Sequence, residues 1–355
     1  MYNIIDKVNI ELTDKCNSRC PQCHRTDSVN NCKPYPWIQN VEWSLDDFIK
    51  AFPPKTKFPH RIFFCGTYGD PLMCSDLFDI VKYIMENSNS HIWISTNGSV
   101  RDENWWFIFS QWGNRVRVLW SVDGLEDTNH LYRRGTDFKK IMRNAQAFID
   151  GRGVAEWIYI VFKHNQHQIQ EAKKLSESMG FKTFKAVKSE RWNSQISKDL
   201  ETYIWKDEEY KLQPPTNQFK NEKVNEWHKE DGKEKVIDCY AVRDQEVWID
   251  CFGYVTPCCF YQNQVYRLLN SNKNNFDFLE LDHKKIKTSD ITKTKVQNII
   301  NKFKLNQINI FNNTFEEINK SYLFNNYIKN YVWKNKLNPC YNVCGKGIQK
   351  EIVKL

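Results

Sequence analysis

Three cysteines near the start of the chain, Cys16, Cys20 and Cys23, stand at C-x3-C-x2-C spacing in the run ELTDKCNSRCPQCHR. Thiolates this close on one loop can hold three corners of a [4Fe–4S] cube and leave the fourth iron without a protein ligand. An iron with an open position binds and activates a small molecule, whereas a cluster held by four cysteines carries electrons. A zinc loop is the alternative, but structural zinc takes four ligands, usually from paired C-x2–4-C segments. His24, next to Cys23, is poorly placed to complete a tetrahedron with it.

A second set lies far along the chain: Cys239, Cys251, the pair Cys258-Cys259, and Cys340 and Cys344 with three residues between them. Six thiols here compete for the four places of one metal centre. The spacing leaves open both an iron–sulfur cluster and a zinc site with four cysteine ligands. Cys32, Cys65 and Cys74 have no partner pattern and read as ordinary residues, since unpaired cysteine is a common small core side chain.

The first loop needs a frame to hold it. Strand-like segments at 8–13, 61–65, 92–95, 116–121, 157–162 and 183–187 alternate with helix-like ones at 44–51, 75–87, 102–111, 137–150 and 166–179. Ser44 is a natural cap for the first helix and Gly180 a natural stop for the last. This alternation predicts an α/β fold with a parallel sheet and right-handed crossovers. Six units make a partial (β/α)6 TIM-like barrel rather than a closed eight-fold one. Chemistry in parallel barrels sits at the C-terminal ends of the strands, where the cysteine loop falls. The aromatic-rich segments around Trp105-Trp106 and Trp192 could line a pocket, although at helical spacing such residues are more often core. Residues 191–236, charged and polar with Pro214-Pro215, read as a connector with room for some helix. Residues 1–190 are then the barrel, and 237–355 a smaller cysteine-rich C-terminal domain.

Each strand end carries a polar or glycine-rich signature. The second is followed by Cys65-Gly66-Thr67-Tyr68-Gly69-Asp70-Pro71-Leu72, the third by Ser95-Thr96-Asn97-Gly98. The fourth ends in Ser121-Val122-Asp123-Gly124, with His130 and Arg133-Arg134-Gly135 close behind. Any one of these is ordinary turn chemistry. Several in order, each at a strand's C-terminal end, are hard to attribute to turns, and glycine there lets backbone approach a ligand closely.

On these motifs the chain resembles the radical S-adenosylmethionine (SAM) superfamily. CNSRCPQC is similar to the family's C-x3-C-x-φ-C motif, and Gly69-Asp70-Pro71 to the GEP part of its GGEP motif. The resemblance implies a [4Fe–4S] cluster on Cys16, Cys20 and Cys23, with SAM chelating the open iron through its amino and carboxylate groups. It implies reductive cleavage to a 5′-deoxyadenosyl radical that abstracts a substrate hydrogen, inside a water-poor barrel mouth. Gly69, Asp70, Pro71, Ser95, Asn97, Ser121, Asp123 and Arg134 fall where SAM contacts are expected, Arg134 for the carboxylate. Gln22 stands where the family has a hydrophobic or aromatic residue, Tyr68 where it has glycine and Asp70 where it has glutamate. The string Cys239-x13-Gly253-x4-Cys258 resembles the entry to SPASM/twitch domains, and Cys340-x3-Cys344 their closing ligands. A further C-x2-C-x5-C segment is missing, so one auxiliary cluster, the twitch-like form, fits better. The expected ligands are Cys239, Cys258, Cys340 and Cys344, with Cys259 and then Cys251 as alternates. Such a cluster would relay an electron.

Substrates of the resembling enzymes include ribosomal peptides and small molecules, and a flavodoxin or ferredoxin is the expected electron donor. Two readings compete. Residues 264–355 carry 16 Lys and Arg against 7 Asp and Glu, which would suit RNA or a nucleotide. A non-enzymatic, zinc-stabilised binding protein is the other. With no apolar leader at the N-terminus and no membrane-spanning apolar run, the twelve cysteines point to metal or redox centres in a reducing, cytoplasmic setting.

Overall fold

The computed structural model describes residues 5–189, 201–216, 219, 237–262, 278–281, 284–287, 301, 304–332 and 344, so Cys340 lies outside the described residues. Six strands, β1 (Lys7–Ile10), β2 (Arg61–Phe64), β3 (His91–Thr96), β4 (Val116–Ser121), β5 (Val154–Val161) and β6 (Thr183–Lys188), pair in that order and all in parallel. Between them run α1 (Leu45–Ala51), α2 (Leu77–Asn87), α3 (Glu103–Phe109), α4 (Phe138–Asp150) and α5 (Ile169–Met179). Local chemistry sets the helix ends. Ser44 and Asp47 form a capping box, Asp102 and Asp137 accept from the backbone of Trp105 and Lys140, and α5 stops at Gly180 with φ 91°.

The strands alternate because each has two different faces. Ile62, Phe64, Ile92, Ile94, Val118, Trp120 and Trp157 are fully buried on the helix side. There Trp120 lies 4.6 Å from Trp106 of α3, while Phe64 meets Phe48 of α1. Each such side chain stabilises the fold by roughly 1.5–3 kcal/mol on burial. The intervening residues face the concave side. Near the N-terminal ends they build a charged floor: Arg61 bridges Glu246 at 2.9 Å, and Glu156 takes Arg117 at 2.6 Å and Lys185 at 2.7 Å. Both arginines lie over the Trp93 ring. Farther along, the same face carries Ser95 and Ser121.

Two features differ from the sequence-based expectation. The sheet has eight strands rather than six. β7 (Glu246–Ile249) pairs in parallel with the open edge of β1, from Lys7↔Glu246 to Ile10↔Ile249, and β8 (Val255–Thr256) pairs antiparallel with β7. An exposed β1 edge would leave a row of unpaired backbone groups, and the Glu-Val-Trp-Ile run of β7 covers it. The second difference lies in the connector. Its described residues 201–212 form a hairpin, Glu201–Trp205 against Glu208–Leu212. Lys206 and Asp207 at its tip both take positive φ, the pattern of a two-residue hairpin turn. Among the described residues no helix is long and apolar enough to cross a membrane.

Candidate active site

The loop bearing Cys16, Cys20 and Cys23 leaves the C-terminal end of β1 and is bonded to the loops that follow the next three strands. After β2, Gly69 and Asp70 press against it: the Asp70 N–H donates to the Lys15 carbonyl at 2.8 Å. A Cβ on Gly69 would sit 1.9 Å from the Thr13 carbonyl oxygen, so only glycine allows this approach. After β3, the Asn97 side-chain amide donates to Asn17 at 2.7 Å. After β4, the Arg134 carbonyl accepts from the Arg19 N–H at 2.7 Å and the Ser18 hydroxyl at 3.2 Å. The Cys23 thiol reaches the Thr67 carbonyl at 4.0 Å.

The two acidic residues of these loops act as clamps. Asp70, fully inside, accepts from Leu72 N, Asn97 N, the Asn97 amide and the Thr96 hydroxyl at 2.7–3.0 Å. Asp123 accepts from the Ile160 N–H and bridges Arg133, both at 2.6 Å. Burial pushes the Asp123 carboxyl up against the pull of Arg133. For all its own burial, the guanidinium is held charged, chiefly by Asp123. Arg133 also points at the loop, its Nη1 3.9 Å from the Cys20 sulfur.

Arg134 turns the other way. Its Nε and Nη2 donate to the Tyr203 hydroxyl at 3.0 and 2.6 Å, and its guanidinium lies 4.1 Å from the Tyr210 ring centroid. Tyr203 belongs to the connector hairpin and itself donates to the Leu131 carbonyl. With Leu212 it packs in one cluster with Cys20, Cys32, Tyr132 and Phe162, so the hairpin roofs the cysteine loop. Tyr203→Phe is expected to lower the unfolding free energy by roughly 1–3 kcal/mol, because the buried guanidinium loses its acceptor. A urea midpoint equal to wild type would show that the hairpin is not anchored there.

Sequence reasoning therefore brought Cys16, Cys20, Cys23, Gly69, Asp70, Asn97 and Asp123 to one end of the sheet, with Ser95 and Ser121 on the concave face beneath. It missed Asn17, although that residue stands inside the cysteine spacing. It assigned Arg134 to the SAM carboxylate; in the structure that guanidinium bonds the Tyr203 hydroxyl while Arg133 faces Cys20, and nothing in the sequence pointed to Tyr203. Glu11, just past β1, is another omission. It is wholly buried, and burial pushes it up to about 8 against hydrogen bonds from Thr67 and Tyr68.

The donor set suits an iron–sulfur cluster. Burial pushes the Cys16 and Cys20 thiols up, a cost that bound iron would offset by favouring the thiolates. Among the described residues no three metal-binding side chains gather around a single-ion position.

In the second set, a hydrogen bond from Cys344 brings the Cys239 thiol down to about 7. Cys258 and Cys259 flank Tyr240, whose hydroxyl is 3.8 Å from the Cys259 sulfur. Cys251 packs apart from these, among Trp37, Ile38 and Tyr68.

Residues 10–175 match the model of the Radical SAM superfamily. A 7,8-dihydro-6-hydroxymethylpterin dimethyltransferase from Methanocaldococcus jannaschii is 24% identical over 143 residues, which are 39% of this chain and 27% of that protein. The chain thus spans about a quarter of that relative's length. Among solved structures, native anSMEcpe with bound AdoMet superposes with a TM-score of 0.51 at 17% identity, covering 96% of this chain and 88% of the other. SuiB from Streptococcus suis does so with 0.51 at 11% identity, covering 97% and 68%. The matched span carries the cysteine loop and every strand-end loop that clasps it, and over residues 10–175 this chain is similar to the Radical SAM superfamily.

Proposed function

We propose that the chain cleaves SAM reductively at a [4Fe–4S] cluster held by Cys16, Cys20 and Cys23. It directs the resulting radical at a peptide or small-molecule substrate, with a second iron–sulfur site as electron relay. The observation that carries this reading is the convergence of three strand-end loops on the cysteine loop. When bound, the cluster and SAM supply an electron and a 5′-deoxyadenosyl radical. This chain's residues do the positioning. Gly69 brings backbone against the loop, Asn97 and Asn17 tie it to β3, and the Asp123–Arg133 pair sets a fixed positive charge beside Cys20. Ser95 and Ser121, half-buried on the concave face, are the hydroxyls available to the nucleoside or methionine of SAM. Asp70 and Asp123 spend their oxygens within the protein and act by shaping the loops. Arg133, rather than the tyrosine-bound Arg134, is the better placed cation for the SAM carboxylate.

The relay is assigned to Cys239, Cys258, Cys340 and Cys344, with Cys259 the substitute; the closeness of Cys239 and Cys344 supports it. For the substrate, anSMEcpe with AdoMet and a Cp18Cys peptide, at a TM-score of 0.51 and 16% identity, favours the peptide class. A flavodoxin or ferredoxin is the proposed electron donor. Anaerobically purified protein is expected to hold about eight irons and eight sulfides per chain. Cys344→Ala should hold about four while still forming 5′-deoxyadenosine with dithionite. About four irons in wild type would remove the relay, and zinc without sulfide would sink the whole reading.

A further inference from the structure

Arg25 is a cation whose hydrogen bonds do not close. It follows Cys23 by two residues and is 3% exposed. Its Nη2 donates to the Asp14 carbonyl at 3.2 Å, but Nε and Nη1 are buried with no hydrogen-bond partner. Among the described residues no carboxylate bridges it. Asp14, the nearest acid in sequence, uses its two oxygens on the backbone N–H groups of Gln39 and Val41. Two other cations beside the loop have acidic partners: Arg133 pairs with Asp123, and Lys15 with Glu42 at 3.2 Å. The Arg25 backbone is itself fixed, its carbonyl accepting from the Tyr35 N–H at 2.8 Å and the next N–H donating to the Cys23 carbonyl at 3.0 Å. The side chain is therefore tethered through Nη2 to the Asp14 carbonyl and keeps two buried, unused donors.

Leaving such donors unmet costs about 1–3 kcal/mol each, more for a charged group, so their acceptor is expected to be an anion that belongs in the site. Arg25 lies within electrostatic reach of the Cys16 sulfur. Hydrogen bonds and positive charge directed at cluster sulfurs stabilise the reduced, more negative form and so raise the potential.

We propose that Arg25 directs its free Nε–H and Nη1–H at the sulfurs of the cluster on Cys16, Cys20 and Cys23, and so sets how easily that cluster accepts its electron from the external donor. This rests on the cluster assignment above. Arg25 is a positioning residue in this role: it tunes the ligand sulfurs and touches neither SAM nor substrate.

The test uses the anaerobically purified full chain, with iron and sulfide counted first. The cluster is then titrated potentiometrically under electron paramagnetic resonance, without SAM. In Arg25→Met the iron content should match wild type, and the reduced fraction at the wild-type midpoint should fall several-fold. SAM affinity should stay close to wild type, and Arg25→Lys should lie between the two. An unmoved midpoint with intact cluster overturns the proposal. So does an unmoved midpoint with weakened SAM binding, which would make Arg25 a ligand for the SAM carboxylate. Loss of the cluster in both variants, with native circular dichroism, would mean that Arg25 only shapes the loop, and also overturns it. Absence of iron and sulfide from wild type would instead refute the cluster assignment itself.

Discussion

Replacing Cys16, Cys20 or Cys23 by alanine is expected to reduce 5′-deoxyadenosine formation under dithionite to the level of a protein-free control. The reason is stoichiometric as well as geometric. Three thiolates hold three irons and the fourth must stay open for SAM, so no spare ligand covers a loss. Cys32, though buried beside Cys20, sits beyond the loop that Asn97, Asp70 and Arg134 fix in place, and is not offered as a substitute. The fold should survive, because the helix-side core of Ile62, Trp120 and Trp157 does not involve this loop. Circular dichroism would check that. Cleavage persisting in any of the three variants would overturn the assignment.

Removing the Asp123 carboxylate is expected to destabilise the protein by roughly 3–5 kcal/mol, the cost of stranding a buried charge. The pair is enclosed: the Asp123 side chain is 0% exposed and that of Arg133 15%. Asp123→Ala also removes the acceptor of the Ile160 N–H. The effect should be strongly non-additive. Arg133→Met combined with Asp123→Ala should cost much less than the sum of the single changes, because no lone charge remains. Urea unfolding of the four proteins measures this. A single-variant loss below about 1 kcal/mol would show that the bridge is not structural.

Much of the fold was legible because its signals are local. The six barrel strands and their helices fall within a few residues of where alternation and capping residues put them. Ser44, Asp102, Asp137 and Gly180 act within one turn of their own position. The two surprises are non-local. β7 joins β1 across more than two hundred residues, and its short apolar run could have belonged to a separate domain. The hairpin at 201–212 was hidden by polar composition, since its outward side chains are charged while Tyr203 and Leu212 turn inward.

The candidate site divides in the same way. The sequence alone determined that three cysteines share one loop after a strand, and that polar and glycine-rich loops follow the next strands. Spacing along the chain controls both. Only the tertiary structure decided which partners those side chains take. Asp70 closes on Asn97, Arg133 rather than Arg134 faces Cys20, and Tyr203 holds the other arginine away. Adjacent arginines have identical chemistry, and which one meets the cysteine loop depends on the backbone turn after β4 and on a hairpin about 70 residues later. Direction in space is what one-dimensional spacing does not carry.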